Sequence, residues 1–313
     1  MQFVVRKVLG TLVLVWLIVT LTFLLTSLID PRNVASSLLG PDAAPEQVQQ
    51  TIARLGLDQP LWVRYADWMF GAARGDLGTS WFSSAGVAET IAIRFPVTLS
   101  ILICTIVLSV VLGLIFGVSA AVRGGVPDRI LQFLSVLGFA VPNIVIAIAL
   151  IYLFALQLHW FPATGYTPIA KSPGGWILGL VLPTAALSAA VAANLAQQIR
   201  GSMVDQLRAG YVRTLRSRGL SATSIIYGHA LRNALPAGLH ALGVQVIYLA
   251  GGAVLIERIF ALPGMGSLIT DATARGDIPV VLGTVAFFVV LVVIINLLID
   301  LAAAALNPKV RTS

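Results

Sequence analysis

Charge is scarce in this sequence. Charged residues make up 11% of its 313 positions, hydrophobic residues make up 58%, and the mean hydropathy is +0.94. Soluble domains are about one quarter charged and about half apolar. This shortage of charge excludes an ordinary soluble protein and indicates an integral membrane protein.

The residue types that most often carry chemistry are also few. Cys104 is the single cysteine, which excludes a disulfide within the chain and disfavours a redox or metal role. The three histidines, His159, His229 and His240, form no H-E-x-x-H pair, and there is no G-x-S-x-G elbow. We therefore expect no catalytic residue, no metal site and no cofactor bound by this chain itself.

Long apolar runs are what the chain does contain. Each is long enough to cross about 30 Å of hydrocarbon as a helix, and their continuity favours helices over a barrel. Six runs meet this criterion: Val8 to Ile29, Phe95 to Val122, Ile130 to about Gln157, about Trp176 to Ile199, Ala234 to Ile256, and Ile278 to Ile299. They hold no carboxylate, which disfavours a proton-coupled carrier. The first run resembles a signal peptide, but its length favours a retained anchor.

Arginine and lysine predict the orientation. The two short connections on one side carry only Lys171, Arg258 and Arg275. The other side carries Arg6, Lys7, Arg123, Arg129, Arg200, Arg208, Arg213, Arg216, Arg218, Arg232, Lys309 and Arg311. The positive-inside rule therefore predicts that both termini are cytoplasmic. Basic loops that face anionic lipid explain the net charge of +7, so no nucleic-acid partner is needed.

The runs predict three segments: residues 1–29 with the first span, residues 30–94 outside the cytoplasm, and residues 95–313 with five further spans. In the second segment, Pro45 and Pro60 are expected to open short helices, the first of which Gly56 caps. The segment is rich in aromatic residues, which form either a contact surface for an external partner or a belt at the membrane surface. These residues are Trp62, Trp68, Phe70, Trp81 and Phe82.

One stretch, Tyr211 to Pro236, is polar although it lies between two apolar runs. It predicts a short helix that Gly219 interrupts and a second helix that Ser221 caps. At about 100° per residue, one face of the second helix holds Ile225, His229, Arg232, Asn233 and Pro236. The opposite face holds Tyr227, Ala230, Leu231 and Ala234. A helix with two such faces needs two neighbours, which we expect to be the membrane domain and a cytoplasmic protein.

The same stretch carries a family resemblance. "RTLRSRGLSATSIIYGHALRNALP" resembles the cytoplasmic EAA loop of ABC-importer permeases in the dipeptide, oligopeptide and nickel group. Three more segments agree: "LGLDQPLWVRYADWMFGAARGDLGTSW", "IERIFALPGMGSLITDATARGDIPVV" and "NLLIDLAAAALNPKVR". The resemblance covers nearly the whole chain. It implies a six-span, all-α ABC type I importer permease fold.

The resemblance also implies a function and partners. The chain would be a non-catalytic permease subunit that moves peptides across the cytoplasmic membrane of a prokaryote by alternating access. It would pair with a second homologous permease subunit, two cytoplasmic ATPase subunits that bind ATP and magnesium, and an extracytoplasmic substrate-binding protein. Nickel or another small solute is the alternative cargo. An ATP-independent channel is a less favoured alternative, and a membrane scaffold would leave the EAA-like loop unexplained.

The resemblance places the ATPase contacts in residues 200–236, which we call the coupling loop. Gly219 takes the position of the motif's glycine, at a turn that enters the ATPase. The motif usually opens with an acidic residue and two alanines, whereas this chain has Arg213, Thr214 and Leu215. The implied contacts are Arg213, Thr214, Leu215, Gly219, Leu220, Ile225, His229, Asn233 and Pro236. For His229 and Asn233 a structural tether is the alternative interpretation.

Two further sets of residues are candidates. "PGMG", Pro263 to Gly266, is typical of a turn, and the resemblance places it in an external gate. The gate residues are Glu257, Phe260, Pro263, Gly264, Met265 and Gly266. Asn194, Gln197 and Gln198 share a helical face and line a pathway in one interpretation, or hydrogen-bond neighbouring helices in the other.

Overall fold

The computed structural model describes residues 2–40 and 42–306. Helices dominate these residues, and the one strand-like contact among them is a bridge between Thr79 and Gly86. The expected all-helical class is therefore confirmed. Lys309, Arg311 and the end of the "NLLIDLAAAALNPKVR" segment lie outside the described residues.

The helices follow one another with short connections. In the first part of the chain they are α1 (Gln2–Ser27), α2 (Pro31–Leu39), α3 (Pro45–Arg54), α4 (Leu61–Ala73), α5 (Val87–Arg123), α6 (Gly125–Ala140), α7 (Asn143–Leu150) and the π-helix π1 (Ile151–Gln157). In the second part they are α8 (Pro173–Arg208), α9 (Gly210–Ser217), the π-helix π2 (Ser224–Ala230), α10 (Leu231–Ile259), α11 (Met265–Arg275) and α12 (Ile278–Leu306).

Four of the helical segments within the described residues are individually long and apolar enough to cross a membrane. They are α5, α8, π2 joined to α10, and α12. Two further pairs qualify if each bent pair counts as one span: α1 with α2, bent by 75°, and α6 with α7 and π1, bent by 102°. The structure thus supplies four to six candidate spans.

The sequence predicted one continuous helix for the third apolar run, but the structure shows a broken one. It breaks at Val141 and Pro142. Proline lacks the N–H that a helix requires and disfavours helical dihedral angles in the residue before it. Val141 accordingly adopts an extended conformation (φ −95°, ψ 119°), and Pro142 caps α7. The apolar composition was interpreted correctly, but the proline was not taken as a break.

Two predicted helix boundaries also differ. α5 begins at Val87, eight residues before the apolar run at Phe95, and α8 continues to Arg208, beyond Ile199. Both extensions contain polar residues, which hydropathy excludes from a span although they are compatible with a helix. The coupling loop therefore begins as a continuation of α8. In the outer segment, Pro45 opens α3, Pro60 caps α4, and Gly56 has a positive φ of 66°, as expected.

The chain divides into two units. The first contains residues 1–98 and 263–293, and the second contains residues 99–262 and 294–313. In the first unit, one buried cluster brings the start of α5 together with α11 and the start of α12 through Val87, Ile91, Met265 and Val281. A second cluster is formed by Phe23, Ile278 and Leu282, against which Tyr65, Trp68 and Trp81 pack. The division into three segments stays a prediction.

α8 is the centre of the second unit. A Cβ atom on Gly117 of α5 would lie 2.7 Å from the Ala196 carbonyl oxygen, and one on Gly238 of α10 would lie 2.9 Å from the Ile199 side chain. Both glycines therefore allow close helix packing that a larger residue would obstruct. Ile199 is 1% exposed, so the part of α8 around Ala196 and Ile199 packs between α5 and α10.

Candidate coupling loop

The coupling loop starts from a fixed base. α8 ends at Arg208, Ala209 is extended, and α9 begins at Gly210. The Tyr211 hydroxyl donates a hydrogen bond of 3.0 Å to Oε1 of Gln206, and the neighbouring Val212 is 2% exposed. These contacts hold the first turn of α9 against the end of α8.

α9 ends in a Schellman motif centred on Gly219. The backbone N–H of Gly219 donates to the Arg216 carbonyl (2.9 Å), and that of Leu220 donates to the Leu215 carbonyl (3.2 Å). This pair of bonds requires a left-handed backbone conformation at the residue after the helix end, and Gly219 has a φ of +81° there. The predicted interruption at Gly219 is confirmed. A Cβ on Gly219 would meet nothing within 4 Å, so the requirement for glycine comes from the backbone alone.

The Schellman motif also accounts for Leu215. Leu215 and Leu220 occupy the two positions of the motif whose apolar side chains commonly contact each other. Both leucines are half-buried. Leu215 therefore stands at a position where the motif favours an apolar side chain, which the comparison with the EAA motif did not suggest.

The side chains around this motif are mostly exposed. Arg213, Thr214, Arg216 and Arg218 all face solvent. The buried residues Val212 and Ile225 lie on either side of this exposed segment, each 2% exposed. The loop is therefore a short basic surface between two anchored points. It is available to bind another protein.

The second helix of the loop becomes a π-helix after its first two residues, and the predicted faces are wrong for that reason. Ser221 caps it as expected, since its Oγ accepts from the Ser224 N–H (3.3 Å). Ile225 and Ala230 were placed on opposite faces, but both are buried, at 2% and 0% exposure. In an α-helix they would lie about 140° apart. They lie in the π-helix π2, whose hydrogen bonds join residues five apart, which brings them to the same side.

The other predicted contacts of this helix differ in their exposure. Asn233 is exposed, and its Nδ2 lies 3.4 Å from the Tyr211 hydroxyl, so it links α10 to α9. This geometry supports the interpretation of Asn233 as a tether. His229 is half-buried, and Pro236, also half-buried, removes one backbone donor inside α10. The nine proposed coupling residues thus lie along one continuous segment.

One charged pair at the base was not identified from the sequence as functional. Arg200 of α8 donates to Asp128 in the first turn of α6 through Nε and through Nη2, with an Nη2–Oδ2 distance of 2.7 Å. The two side chains are 27% and 25% exposed. In the sequence, Arg200 contributed only to the predicted membrane topology. Two residues 72 positions apart give no local signal of pairing.

The proposed gate residues are distributed over both units. In the second unit, Glu257 is 0% exposed and Phe260 is 1% exposed. α10 ends just after them in another Schellman motif, with bonds from Ala261 to Arg258 (3.2 Å) and from Leu262 to Glu257 (2.8 Å). Here the left-handed position is occupied by Ala261, with a φ of +50°. An L-residue with a side chain is strained in that conformation.

In the first unit, Pro263 to Gly266 form the start of α11 rather than a glycine-dependent turn. Gly264 caps the helix at a φ of −96°, and the positive-φ glycines do not include Gly266. Met265 is 0% exposed, and its N–H donates to Oγ1 of Thr98 (2.8 Å). The turn expected from the two glycines is therefore wrong in detail, since both belong to a helix start.

The proposed pathway residues lie on α8 away from its packed side. Asn194 and Gln197 are half-buried and Gln198 is exposed, whereas Leu195 and Ile199 are buried. Within residues 2–40 and 42–306, none of the three amide side chains has a hydrogen bond in this conformation. This observation is compatible with a pathway or with another subunit contacting the same face.

The chain is similar to known transport proteins over its whole length. Residues 109–312 match the family described as "Binding-protein-dependent transport system inner membrane component", and residues 1–102 match the N-terminal family of the same membrane components. A putative peptide transport system permease protein of Brucella abortus is 38% identical over 309 residues, 98% of each chain. A probable peptide ABC transporter permease protein of Sinorhizobium fredii is 37% identical over 310 residues, 99% of each.

A third relative is named for a different cargo. The glutathione transport system permease protein of Escherichia coli K12 is 34% identical over 312 residues, 99% of each chain. The family match covers well over half of this chain, and the relatives match it almost end to end. The apolar helices fit the family's place in the inner membrane. The chain therefore belongs to the family of inner membrane components of binding-protein-dependent transport systems.

Proposed function

We propose that this chain is one of two permease subunits of an ATP-driven importer of peptides, and that it moves them by alternating access. The observation that carries the proposal is the coupling loop. An exposed basic segment, Arg213 to Arg218, lies between buried anchors at Val212 and Ile225, and the Schellman motif at Gly219 shapes its end. A surface that is fixed at both ends can transmit a partner's movement to α8 and α10.

The proposed topology has six spans with both termini in the cytoplasm. It counts α1 with α2 and α6 with π1 as single bent spans, together with four uninterrupted ones. The distribution of arginine and lysine supports this orientation. It places the coupling loop in the cytoplasm and the segment that contains α3 and α4 outside.

The proposed partners follow from this arrangement. Two cytoplasmic ATPase subunits bind ATP and magnesium and contact the coupling loops, one loop from this chain and one from a second, homologous permease subunit. An extracytoplasmic binding protein delivers the substrate. This chain supplies the pathway and the coupling surface, and the chemical step of ATP hydrolysis belongs to the ATPases.

Peptides are the proposed substrate class because two relatives that match nearly end to end are named as peptide permeases. The glutathione permease is also similar over its full length, and glutathione is itself a tripeptide. Backbone amides and charged termini are common to all these solutes. The proposal therefore names short peptides as a class and includes glutathione in the test.

Reconstitution of the complete transporter tests the proposal. The complex is purified with its ATPases, placed in vesicles, and supplied with binding protein and radiolabelled di-, tri- and pentapeptides or glutathione. We expect uptake of at least one of these peptides to require ATP and the binding protein. An equal rate without ATP would favour a facilitator, and ATP-driven uptake of nickel but of no peptide would contradict the proposed substrate.

A further inference from the structure

A pocket remote in sequence from the coupling loop lies in the first unit. It is an open pocket lined by the end of α1, the end of α3, α4, the segment after α4 and the start of α12, and its volume is about 350 Å³. One part of its wall is aromatic and aliphatic, and another part is charged. The residues that matter for its chemistry are Phe23, Arg54, Arg64, Trp68, Trp81 and Leu282.

The position of the pocket follows from the helices that form it. Phe23 lies near the end of α1 and Leu282 in the second turn of α12, both of which belong to candidate membrane spans. α4 is held against α1 by a 2.5 Å hydrogen bond between the hydroxyls of Thr20 and Tyr65 and by an edge-to-face contact of the Phe23 and Tyr65 rings. The pocket therefore lies where spanning helices meet the polar outer segment.

The charged part of the wall contains Arg64. Arg64 is half-buried, and within the part of the chain that the structure describes its guanidinium contacts no carboxylate. Burial lowers the pKa of Arg64, yet an arginine remains protonated at neutral pH. Among the described residues, Arg54 also lines the pocket, and Asp67 is the one acidic residue in its wall. These residues give the pocket a net positive charge.

The other part of the wall is aromatic and aliphatic. Trp68 lines the pocket, but its Nε1 is buried and has no acceptor among residues 2–40 and 42–306, so it is not offered to a ligand. The arginine donors therefore lie beside the apolar surface of Phe23, Trp81 and Leu282. A matching ligand combines an anionic group rich in acceptors with an apolar portion.

We propose that this pocket binds the phosphate group of an anionic phospholipid at the membrane surface. Arg64 supplies the cation, and the aromatic wall contacts the glycerol and the first acyl carbons. A free phosphate or glycerol phosphate shares the anionic chemistry, but it leaves the apolar wall unused. Aromatic residues such as Trp68 and Trp81 are also common where a protein meets lipid head groups. The site is independent of which peptide the transporter carries.

The experiment compares lipid binding to the purified, delipidated transporter complex. Short-chain phosphatidylglycerol or phosphatidylcholine is titrated in neutral detergent, and bound lipid is counted by native mass spectrometry. Both lipids carry the phosphate, but phosphatidylcholine adds a choline cation that the positively charged pocket repels, so phosphatidylglycerol is expected to bind about tenfold more tightly. Arg64→Gln is expected to abolish this preference, whereas Arg74→Gln retains it, because Arg74 is exposed and does not line the pocket.

Further arms keep the proposal falsifiable. Arg54→Gln removes the other arginine that lines the pocket, and it is expected to weaken phosphatidylglycerol binding severalfold even if Arg64→Gln does not fold. No lipid preference in the wild-type complex, or an unchanged preference in Arg64→Gln, would overturn the proposal. Competition by glycerol phosphate as strong as that by phosphatidylglycerol would overturn the lipid as the occupant.

Discussion

Arg200 donates two hydrogen bonds to the carboxylate of Asp128, and this pair joins the inner part of α8 to the first turn of α6. The pair is only about one quarter exposed. Its bidentate geometry is stronger than that of a single surface contact. Since α8 continues directly into the coupling loop, the pair holds the base of that loop.

We expect Asp128→Asn and Arg200→Gln each to destabilise the subunit. A double-mutant cycle should yield a coupling energy of about 1 kcal/mol, the upper range for partly exposed pairs. Denaturant titration in mixed micelles measures it. Arg123→Gln, which removes an exposed arginine at the end of α5, is the control. A coupling energy indistinguishable from zero would show that the contact does not contribute to stability.

Gly219→Ala and Gly219→Val test the turn of the coupling loop. A side chain at a φ of +81° introduces strain of about 1 to 3 kcal/mol, more for the β-branched residue, although the space beside it is open. We expect weaker retention of the ATPase, or ATP hydrolysis that no longer drives uptake. Co-purification and uptake in vesicles measure the two effects.

Gly210→Ala is the matched control for that experiment. Gly210 also has open space around a Cβ, but it begins α9 and has no positive φ. Wild-type ATPase retention and uptake are expected in this variant. If Gly219→Val behaved in the same way, Gly219 would not be critical for coupling.

Single cysteines test the orientation. After Cys104 is replaced, Ser84→Cys and Ser221→Cys place thiols at two exposed positions. An impermeant maleimide added to intact spheroplasts should label position 84 and spare position 221, because arginine-rich loops stay in the cytoplasm. Labelling of position 221 alone would reverse the topology. Labelling of both positions after lysis confirms that both thiols are reactive.

Ser80→Ala tests a buried contact between two segments that carry the family resemblance. Ser80 Oγ donates to Oδ2 of Asp277 at 2.5 Å and accepts from the N–H of Ser83 at 3.0 Å. Asp277 is 4% exposed, so loss of this bond leaves a buried carboxylate short of a donor. We expect a loss of about 2 kcal/mol in the free energy of unfolding.

Ser83→Ala provides the comparison for Ser80→Ala. Ser83 is exposed, and its Oγ accepts one long bond of 3.4 Å from Ala85. Its loss should change the free energy of unfolding by less than about 0.5 kcal/mol. Equal effects of the two substitutions would show that the bond to Asp277 is not the stabilising element.

Ala261→Gly should stabilise the subunit. Ala261 occupies the left-handed position of the Schellman motif at the end of α10, where glycine avoids a cost of about 1 kcal/mol. Ala73→Gly, at the exposed end of α4, should have the opposite sign, since glycine weakens a helix. Thermal unfolding in detergent measures both. A lower transition temperature for Ala261→Gly would contradict the strain.

The sequence predicted most of the helices because hydropathy and helix-end residues are local signals. Gly219 was recognised as an interruption and Gly56 as a helix cap, and both have positive φ. The bend at Pro142 was missed because six spans were assigned from apolar composition, which does not change at that proline. The extension of α8 to Arg208 was missed for a related reason: hydropathy identifies the apolar part of a helix, and the helix continues into polar residues beyond it.

The sequence did not predict which distant residues pair, or that part of one helix is a π-helix. Two such pairs are Arg200 with Asp128, 72 residues apart, and Ser80 with Asp277, 197 residues apart. Many other pairs of an arginine or a serine with an aspartate are equally compatible with the sequence. The face of the second helix in the coupling loop was wrong because a period of 3.6 was assumed. No residue type predicts a π-helix, so α-helical geometry was assumed and Ile225 and Ala230 were assigned to different sides.

Because Ser224 to Ala230 form a π-helix, the number of residues in this part of the loop affects which side chains are buried. Ile225, Ala230, Ala234 and Gly238 are buried at intervals of five, four and four residues. Deleting one residue inside π2 would restore an interval of four and leave an ordinary helix. Residues four apart in an α-helix lie about 40° apart, so Ile225 and Ala230 would stay on one side of the helix after such a deletion. A chimera that exchanges this loop between related transporters can therefore keep or lose this one extra residue, whereas a second deletion would turn Ile225 by about 100° away from its packed side.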